Sequence, residues 1–321
     1  MANLLFIKTS SLGDVIHHMP AITEARRQRP HARFSWVVEE AFAPLVRLHP
    51  AVDVVVPVAS RRWRRTPFAA PTWSEVRGFV RNLRADPYDD IIDTQGLLRT
   101  AVIAAIARGR RHGYDRHSIR ERLACPFYDM RYRVSRDLHA IARNRALTGH
   151  ALGYAPAGEI DFGLERDTLA APSATPYGIL LHATARSTKE WPEERWIALG
   201  RSLAVRGVEL RVPWGSDDER LRSERLAAGI AGAQMLDRQP LDVVARRIAG
   251  ARFVIGVDTG LLHLAAALGV PVVGIFVGSE PGLTGPMGSG PIAIVGGKGA
   301  MPAPEDVLRA LDRLGTGFSR Q

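Results

Sequence analysis

A single cysteine, Cys125, stands among the 321 residues, so no intramolecular disulfide can form and a reducing compartment is expected. No histidine or acid sits at a nucleophile-like spacing from it, and it reads as a small, partly buried hydrophobe. Long apolar runs are missing too. Leu4-Leu5-Phe6-Ile7 is too short for a signal peptide and no small-residue cleavage site follows it. The run around 270–277 falls far below a bilayer span. A soluble protein is expected, with contact at a membrane surface left open. There is no G-x-G-x-x-G, and Gly297-Lys298 lacks the upstream glycine and the following hydroxyl of a P-loop, which counts against a nicotinamide dehydrogenase or a P-loop ATPase. D-x-D triplets, H-E-x-x-H and paired cysteines are absent as well, so no metal site is expected. Lysine is scarce: Lys8, Lys189 and Lys298 are the only three among 43 cationic residues.

The composition that remains, 46% apolar and 24% charged, is that of a globular protein without long disorder. The length exceeds one ordinary core and implies two domains. The net charge of +10 is unevenly spread: residues 1–150 carry 25 Lys and Arg against 14 acids, residues 151–321 carry 18 against 19. The first half therefore attracts an anionic partner. Nucleic acid is the generic candidate, but zinc-finger spacings, RNP-like aromatics and basic-region heptads are all missing. An anionic lipid or glycan accounts for the asymmetry equally well.

Short β-rich runs alternate with helical patterns, the mark of parallel βαβ units. In the first half strands are expected at 4–8, 34–38, 53–58 and 91–93, with helices at 15–27, 42–48, 97–107 and 137–152. The stretch 153–175, with Tyr154-Ala155-Pro156-Ala157-Gly158 and Pro172 beyond it, reads as the linker. A second series places strands at 177–182, 208–213, Phe253–Val257 and 271–277. Its helices are expected at Glu193–Val205, 217–228, 241–249 and 259–268. The terminal helix at 304–314 has either domain open to it. The fold class is α/β, with two doubly wound domains and ligands at the carboxyl ends of the strands.

Four segments carry chemistry. In Val257-Asp258-Thr259-Gly260-Leu261-Leu262-His263 a strand runs into a helix N-terminus, where free N–H groups and the dipole favour an anion. His263 falls one turn after Thr259, on the same side. The plainer alternative is a capped helix and a core histidine; spacing leaves both open. Lys189 lies in a loop of hydroxyls and cations, Thr184-Ala185-Arg186-Ser187-Thr188-Lys189, directly after a strand, and offers three donors to a diphosphate. A solvated loop lysine is the bland reading, and the location favours the functional one. Lys8-Thr9-Ser10-Ser11-Leu12-Gly13-Asp14 is the matching loop of the first half. Asp14 lies near its helix start, where the dipole favours a carboxylate, which suits both a cap and a general base for an alcohol. Arg61-Arg62-Trp63-Arg64-Arg65 sets four guanidiniums side by side, a costly arrangement in a plain solvated loop and a good one for phosphates or carboxylates. Arg120 and Arg122, near His117, extend that surface.

These segments, together with Lys189-Glu190-Trp191-Pro192-Glu193, resemble the ADP-heptose:lipopolysaccharide heptosyltransferase family of GT-B glycosyltransferases. The resemblance runs nearly the whole chain in order and spacing, and Thr9-Ser10-Ser11-Leu12-Gly13-Asp14-Val15 looks like its type I branch. It implies two Rossmann-like domains facing across a cleft, 1–160 for the acceptor and 161–321 for the donor. The implied reaction is inverting, metal-independent transfer of L-glycero-D-manno-heptose from ADP-heptose to the Kdo of the lipopolysaccharide inner core, with no cofactor. Asp14 is the implied general base. Donor positions are Thr184, Ala185, Lys189, Glu219, Gln239, Asp258, Thr259, Gly260 and His263, with Glu219 on the ribose. Acceptor positions are Lys8, Ser10, Ser11, Gly13, Arg61, Arg62, Arg64, Arg65 and Arg120. Ala185 stands where the family has a second Thr, and Gln239 where it has Met, so contacts there would run through the backbone. Kdo carboxylates and the phosphates of Kdo-lipid A fit the basic half. A cytoplasmic protein peripheral to the inner membrane is implied, with an anionic membrane surface as partner and no nucleic acid. A related GT-B transferase such as type II, or a non-catalytic nucleotide-binding protein, are the alternatives.

Overall fold

The computed structural model describes residues 1–184, 186–278 and 280–316, with only the backbone of Ser187. The chain divides into two compact units, Met1–Gly163 and Leu164–Gln321, and the dividing point lies inside the stretch 153–175.

The first unit runs β1 (Asn3–Ile7), α1 (Leu12–Ile16), α2 (Met19–Gln28), β2 (Arg33–Glu39), α3 (Ala43–Val46), β3 (Val54–Val58), α4 (Ser60–Trp63), α5 (Ala70–Leu83), β4 (Asp90–Asp93), α6 (Leu98–Ile106), β5 (Arg110–Tyr114), β6 (Met130–Tyr132) and α7 (Ala140–Leu152). The second runs α8 (Arg166–Leu169), β7 (Tyr177–Leu181), α9 (Glu193–Val205), β8 (Glu209–Val212), α10 (Asp217–Gly229), β9 (Ala233–Met235), α11 (Leu241–Gly250), β10 (Phe253–Val257), α12 (Gly260–Ala267), β11 (Val272–Phe276), β12 (Ile292–Gly296) and α13 (Pro304–Arg313). Each unit holds one six-stranded sheet, in the orders β3-β2-β1-β4-β5-β6 and β12-β11-β10-β7-β8-β9. Every neighbouring pair is parallel.

Burial on both faces explains the central strands. Leu4-Leu5-Phe6-Ile7 and all of Phe253–Val257 are shielded from water, as parallel strands covered by helices on both sides must be. In each sheet the strand order reverses beside the central strands, between β1 and β4 and between β7 and β10. Such a reversal splays the following loops apart and opens a crevice at the carboxyl ends.

Several expected elements differ. The helix at 15–27 is two helices broken at His17-His18, because Pro20 fits only the first turn of a helix, where its missing N–H costs nothing. The helix at 42–48 is a 3-10 turn, Glu40–Phe42, followed by α3. The helix at 137–152 starts at Ala140, where His139 Nδ1 caps Ile141 N at 3.2 Å. Strands β5, β6, β9 and β12 and helices α4 and α5 add to the expected series. α13 packs on α9, β11 and β12. Among the described residues no helix is long and apolar enough to cross a membrane, and Cys125 is buried and free.

Candidate active site

In the first unit the loop after β1 lies against the loop after β4, across the strand-order reversal. Lys8 Nζ donates to Thr94 O at 3.0 Å and to Asn144 Oδ1 at 3.3 Å. The side chain of Gln95 reaches back, its Oε1 accepting from Thr9 N at 3.1 Å and Ser10 N at 3.2 Å. Gln95 is itself fixed by Asp93, which accepts from Gln95 N and Gly96 N, while Tyr128 donates to its second oxygen at 2.6 Å. Burial pushes the Asp93 carboxyl above its ordinary range. Gly96 has φ +66, and a Cβ there would press Ile119 and Tyr114 at 3.2–3.3 Å, so the tight turn after β4 needs glycine. Arg99, on α6, donates to Ser10 Oγ at 2.6 Å.

Asp14 stands at the open end of this network. Its Oδ2 accepts from Ser11 N at 2.8 Å and from Ser11 Oγ at 3.0 Å. Both bonds fall on one oxygen, and Asp14 keeps part of its surface in water. The bonds to Ser11 therefore leave the second carboxylate oxygen, Oδ1, out of the cap.

Two expected acceptor residues are engaged within the unit. Lys8 is buried, burial lowers the pKa of its amine, and its amine donates to Thr94 O and Asn144 Oδ1. These bonds brace the two loops. Arg62 is held in ion pairs with Glu40 at 2.9 Å and Glu75 at 2.7 Å, because the cluster forms the short helix α4 and turns this one guanidinium towards α5. Arg61, Arg64 and Arg65 stay exposed, and among the described residues none has a carboxylate at ion-pair distance. Arg120 is exposed in the loop after β5, close enough to Lys8 to disfavour its charge.

The second unit repeats the plan with different chemistry. Thr184 Oγ1 donates to Asp258 O at 3.0 Å, tying the loop after β7 to the one after β10. Lys189 ends a 3-10 turn, Ser187–Lys189, and its Nζ forms an ion pair with Asp258 Oδ2. His263 Nε2 lies 3.8 Å from Asp258 Oδ1. Thr259 occupies the N-cap of α12 without a side-chain cap, and Leu262 N donates to its carbonyl at 3.1 Å, so its hydroxyl does not occupy the N–H groups of Gly260 and Leu261. The lysine turn is anchored from below: Trp191 is buried, donates from Nε1 to Pro302 O at 3.0 Å and stands edge-on to Trp196. Arg222 donates to the Trp191 carbonyl at 2.5 Å and pairs with Glu190 at 2.8 Å. Gly278, after β11, abuts the same turn, since a Cβ there would fall 2.1 Å from Thr188 O.

Glu219 lies in the first turn of α10, after β8, and Gln239 in the loop between β9 and α11. Glu219 Oε2 accepts from Gly215 N at 2.7 Å and from Ser216 N, at the N-cap of α10, at 3.3 Å, and Gln239 Oε1 accepts from Arg247 Nε at 2.7 Å. Ala185 lies outside the described residues. Sequence patterns missed Gln95, Asp93, Arg99, Arg222 and Gly278. Asp93, Gln95 and Gly278 had one available signal, their position at or just after the end of a strand; Arg99 and Arg222 lie inside helices and had none. Among the described residues no group of three or more His, Cys, Asp or Glu is arranged to hold a metal ion.

Two doubly wound units of one topology, each ending in a rim of hydroxyl, amine and carboxylate groups, define an α/β enzyme that handles an anionic ligand. The sequence model for glycosyltransferase family 9 (heptosyltransferase) matches residues 76–308. Lipopolysaccharide heptosyltransferase 1 of Escherichia coli K12 is 43% identical over 289 residues, covering 89% of this chain and 91% of that protein. The solved structure of E. coli heptosyltransferase WaaC with ADP superposes with a TM-score of 0.91 at 39% identity, covering 97% of this chain and 99% of that one. The same enzyme with ADP-2-deoxy-2-fluoro heptose gives 0.88 at 38%, with the same coverage. The chain belongs to glycosyltransferase family 9, and its two units have the GT-B heptosyltransferase fold.

Proposed function

We propose that this glycosyltransferase moves L-glycero-D-manno-heptose from ADP-heptose to the Kdo of Kdo-lipid A, with inversion and without a metal. The second unit takes the donor and the first the acceptor. The observation that carries the reading is the pairing of Lys189 with Asp258 beside an uncapped helix start, in a chain whose relative was solved with ADP and with a fluorinated ADP-heptose.

Lysine carries three donors. One is directed to Asp258, and two remain for the diphosphate, joined by the first N–H groups of α12. Asp258 thus orients the amine and presents its own oxygens to the sugar hydroxyls, with His263 beside it. Thr184, Thr259 and Gly260 line the same pocket rim. Glu219 takes the ribose, and Ala185 and Gln239 contact the nucleotide through backbone groups. On the acceptor side Ser10, Ser11, Gly13 and Arg120 join Arg61, Arg64 and Arg65 in holding the Kdo carboxylate and the nearby phosphates.

Asp14 takes the proton of the Kdo hydroxyl as that oxygen attacks the anomeric carbon. The bond from that carbon to the β-phosphate oxygen breaks, and ADP leaves with the electron pair. Attack from the face opposite the leaving group inverts the centre. Lys189 and the helix start meet the charge that develops on the departing diphosphate. The protein works at the cytoplasmic face of the inner membrane.

Incubation with ADP-heptose and Kdo-lipid A tests this. A product heavier by one heptose is expected in the mass spectrum. No product from Kdo-lipid A, with transfer to an already heptosylated core, would move the enzyme to the type II reaction.

A further inference from the structure

Beyond Met1, Phe68 is the most exposed large apolar side chain among the described residues, at 93% of its full surface. It is not part of a frayed segment. Ala69 N donates to Thr66 O at 3.3 Å, Thr72 Oγ1 donates to Thr66 O at 2.8 Å, and the hydroxyls of Thr66 and Thr72 meet at 3.1 Å. This built turn projects Phe68 outward and leads into α5, where Trp73 is 52% exposed. Arg77 and Arg81 follow Trp73 at one-turn intervals, and both are exposed, so they share its face. The opposite face, with Thr72, Phe79 and Leu83, is buried.

Charge surrounds this aromatic pair. Arg61, Arg64 and Arg65 precede the turn, exposed and without a carboxylate partner. The one acid within this stretch, Glu75, is already engaged by Arg62 and by Trp63 Nε1 at 2.8 Å. Aromatic rings interleaved with unpaired arginines are unlike the centre of a protein–protein contact, where charge is depleted. They match the interface of an anionic bilayer, where Trp and Phe lie at the headgroup boundary and Arg meets lipid phosphates.

We infer that the turn at 66–69 and the first turn of α5 form a wedge that enters the interfacial layer of an anionic membrane. Phe68 and Trp73 supply the apolar anchor, and the flanking arginines supply the attraction. Neither signal holds a protein on a bilayer well alone, and the two together do. The inference rests on the proposed function in one respect, that the acceptor is a membrane lipid.

Vesicle sedimentation of the full chain reads the wedge without any transfer reaction. Binding is expected to phosphatidylcholine vesicles containing phosphatidylglycerol, and not to phosphatidylcholine alone. Phe68→Ser and Trp73→Ser are each expected to weaken that binding about tenfold, the scale of losing one buried aromatic anchor. Brominated acyl chains should quench part of the indole fluorescence, and Trp73→Phe should abolish that part. Both serine variants are expected to keep heptose transfer to a deacylated, water-soluble acceptor. Unchanged vesicle binding in Phe68→Ser, or no quenching assignable to Trp73, would reduce the contact to electrostatics and overturn the wedge. Binding only when vesicles contain the acylated acceptor would overturn it too, and assign the patch to that acceptor, as would lost transfer to the soluble one. If no heptose is transferred at all while vesicle binding behaves as expected, the proposed function falls and the wedge stands.

Discussion

The lysine that follows β1 and the lysine in the loop after β7 occupy matching places in two sheets of one topology, yet their surroundings differ. Lys8 is 6% exposed and donates to a carbonyl and an amide oxygen. Lys189 keeps 22% of its side chain in water and faces a carboxylate that keeps 17%. Burial outweighs the nearby Asp14 and Asp93 and lowers the affinity of Lys8 for its proton, and the amine braces two loops. The amine of Lys189, paired with one carboxylate, stays partly wet. Topology therefore fixes where a cation stands, and desolvation decides what it does. The acids differ as well. Asp93 is buried and organises backbone N–H groups, whereas Asp14 and Asp258 each keep part of their surface in water.

The largest effect expected from this contrast is at Asp14. Asp14→Asn keeps an oxygen for the Ser11 donors but removes the base, and turnover is expected to fall on the order of 10²–10⁴-fold. ADP affinity, measured calorimetrically, is expected to stay unchanged, because the donor rim belongs to the other unit. A variant that turns over normally would leave Asp14 a helix cap and nothing more. Next comes Lys189→Ala. Losing a charge-assisted contact is worth about 1.5–3 kcal/mol, so ADP binding is expected to weaken roughly ten- to a hundredfold. Unchanged affinity would make Lys189 a brace like Lys8 and dissolve the contrast between the rims.

The sequence makes the central strands and most helices legible because burial on both faces leaves continuous apolar runs, as in Phe253–Val257. It hides the short and polar strands. Arg110-Arg111-His112 in β5 carries no apolar run, and β6 and β9 are three residues each. Those strands are set by pairing with a neighbour, which a local pattern does not record. At the candidate site, place relative to the strands was legible: Asp14, Lys189, Asp258, Thr259 and His263 all follow the carboxyl end of a strand, in its loop or in the first turn of the next helix. The supports were not. Gln95 bonds Thr9 and Ser10 across more than eighty positions of sequence, and Arg222 reaches Trp191 across thirty-one. For the same reason the sequence showed four like charges at 61–65 but not Glu40 and Glu75, which fold over to neutralise Arg62.

A smaller effect separates the units by pH. Burial holds His49 of the first unit and His182 of the second at about 4, against 6.5 for an exposed histidine. His49 Nδ1 accepts from Ala51 N at 3.2 Å, and His182 pairs with Ser223 Oγ at 2.8 Å, so both rings are seated neutral. As pH drops below 6.5 the unfolded chain takes up protons that the folded rings refuse. Stability is then fully present above 6.5 and declines until the pH passes about 4, where folded and unfolded rings are both charged. At pH 5.5 the loss is about 1.4 kcal/mol for each of the two, and few carboxylates yet contribute. The first unit has two more histidines lowered by burial, His18 and His112. Hydrogen exchange at pH 5.5 against 7 is therefore expected to lose more protection in β1 and β4 than in β7 and β10. In His182→Gln, where an amide can keep a bond to Ser223, the second unit is expected to lose most of its dependence over this range. Equal losses in both sheets would mean that the acid response is not carried by these buried rings.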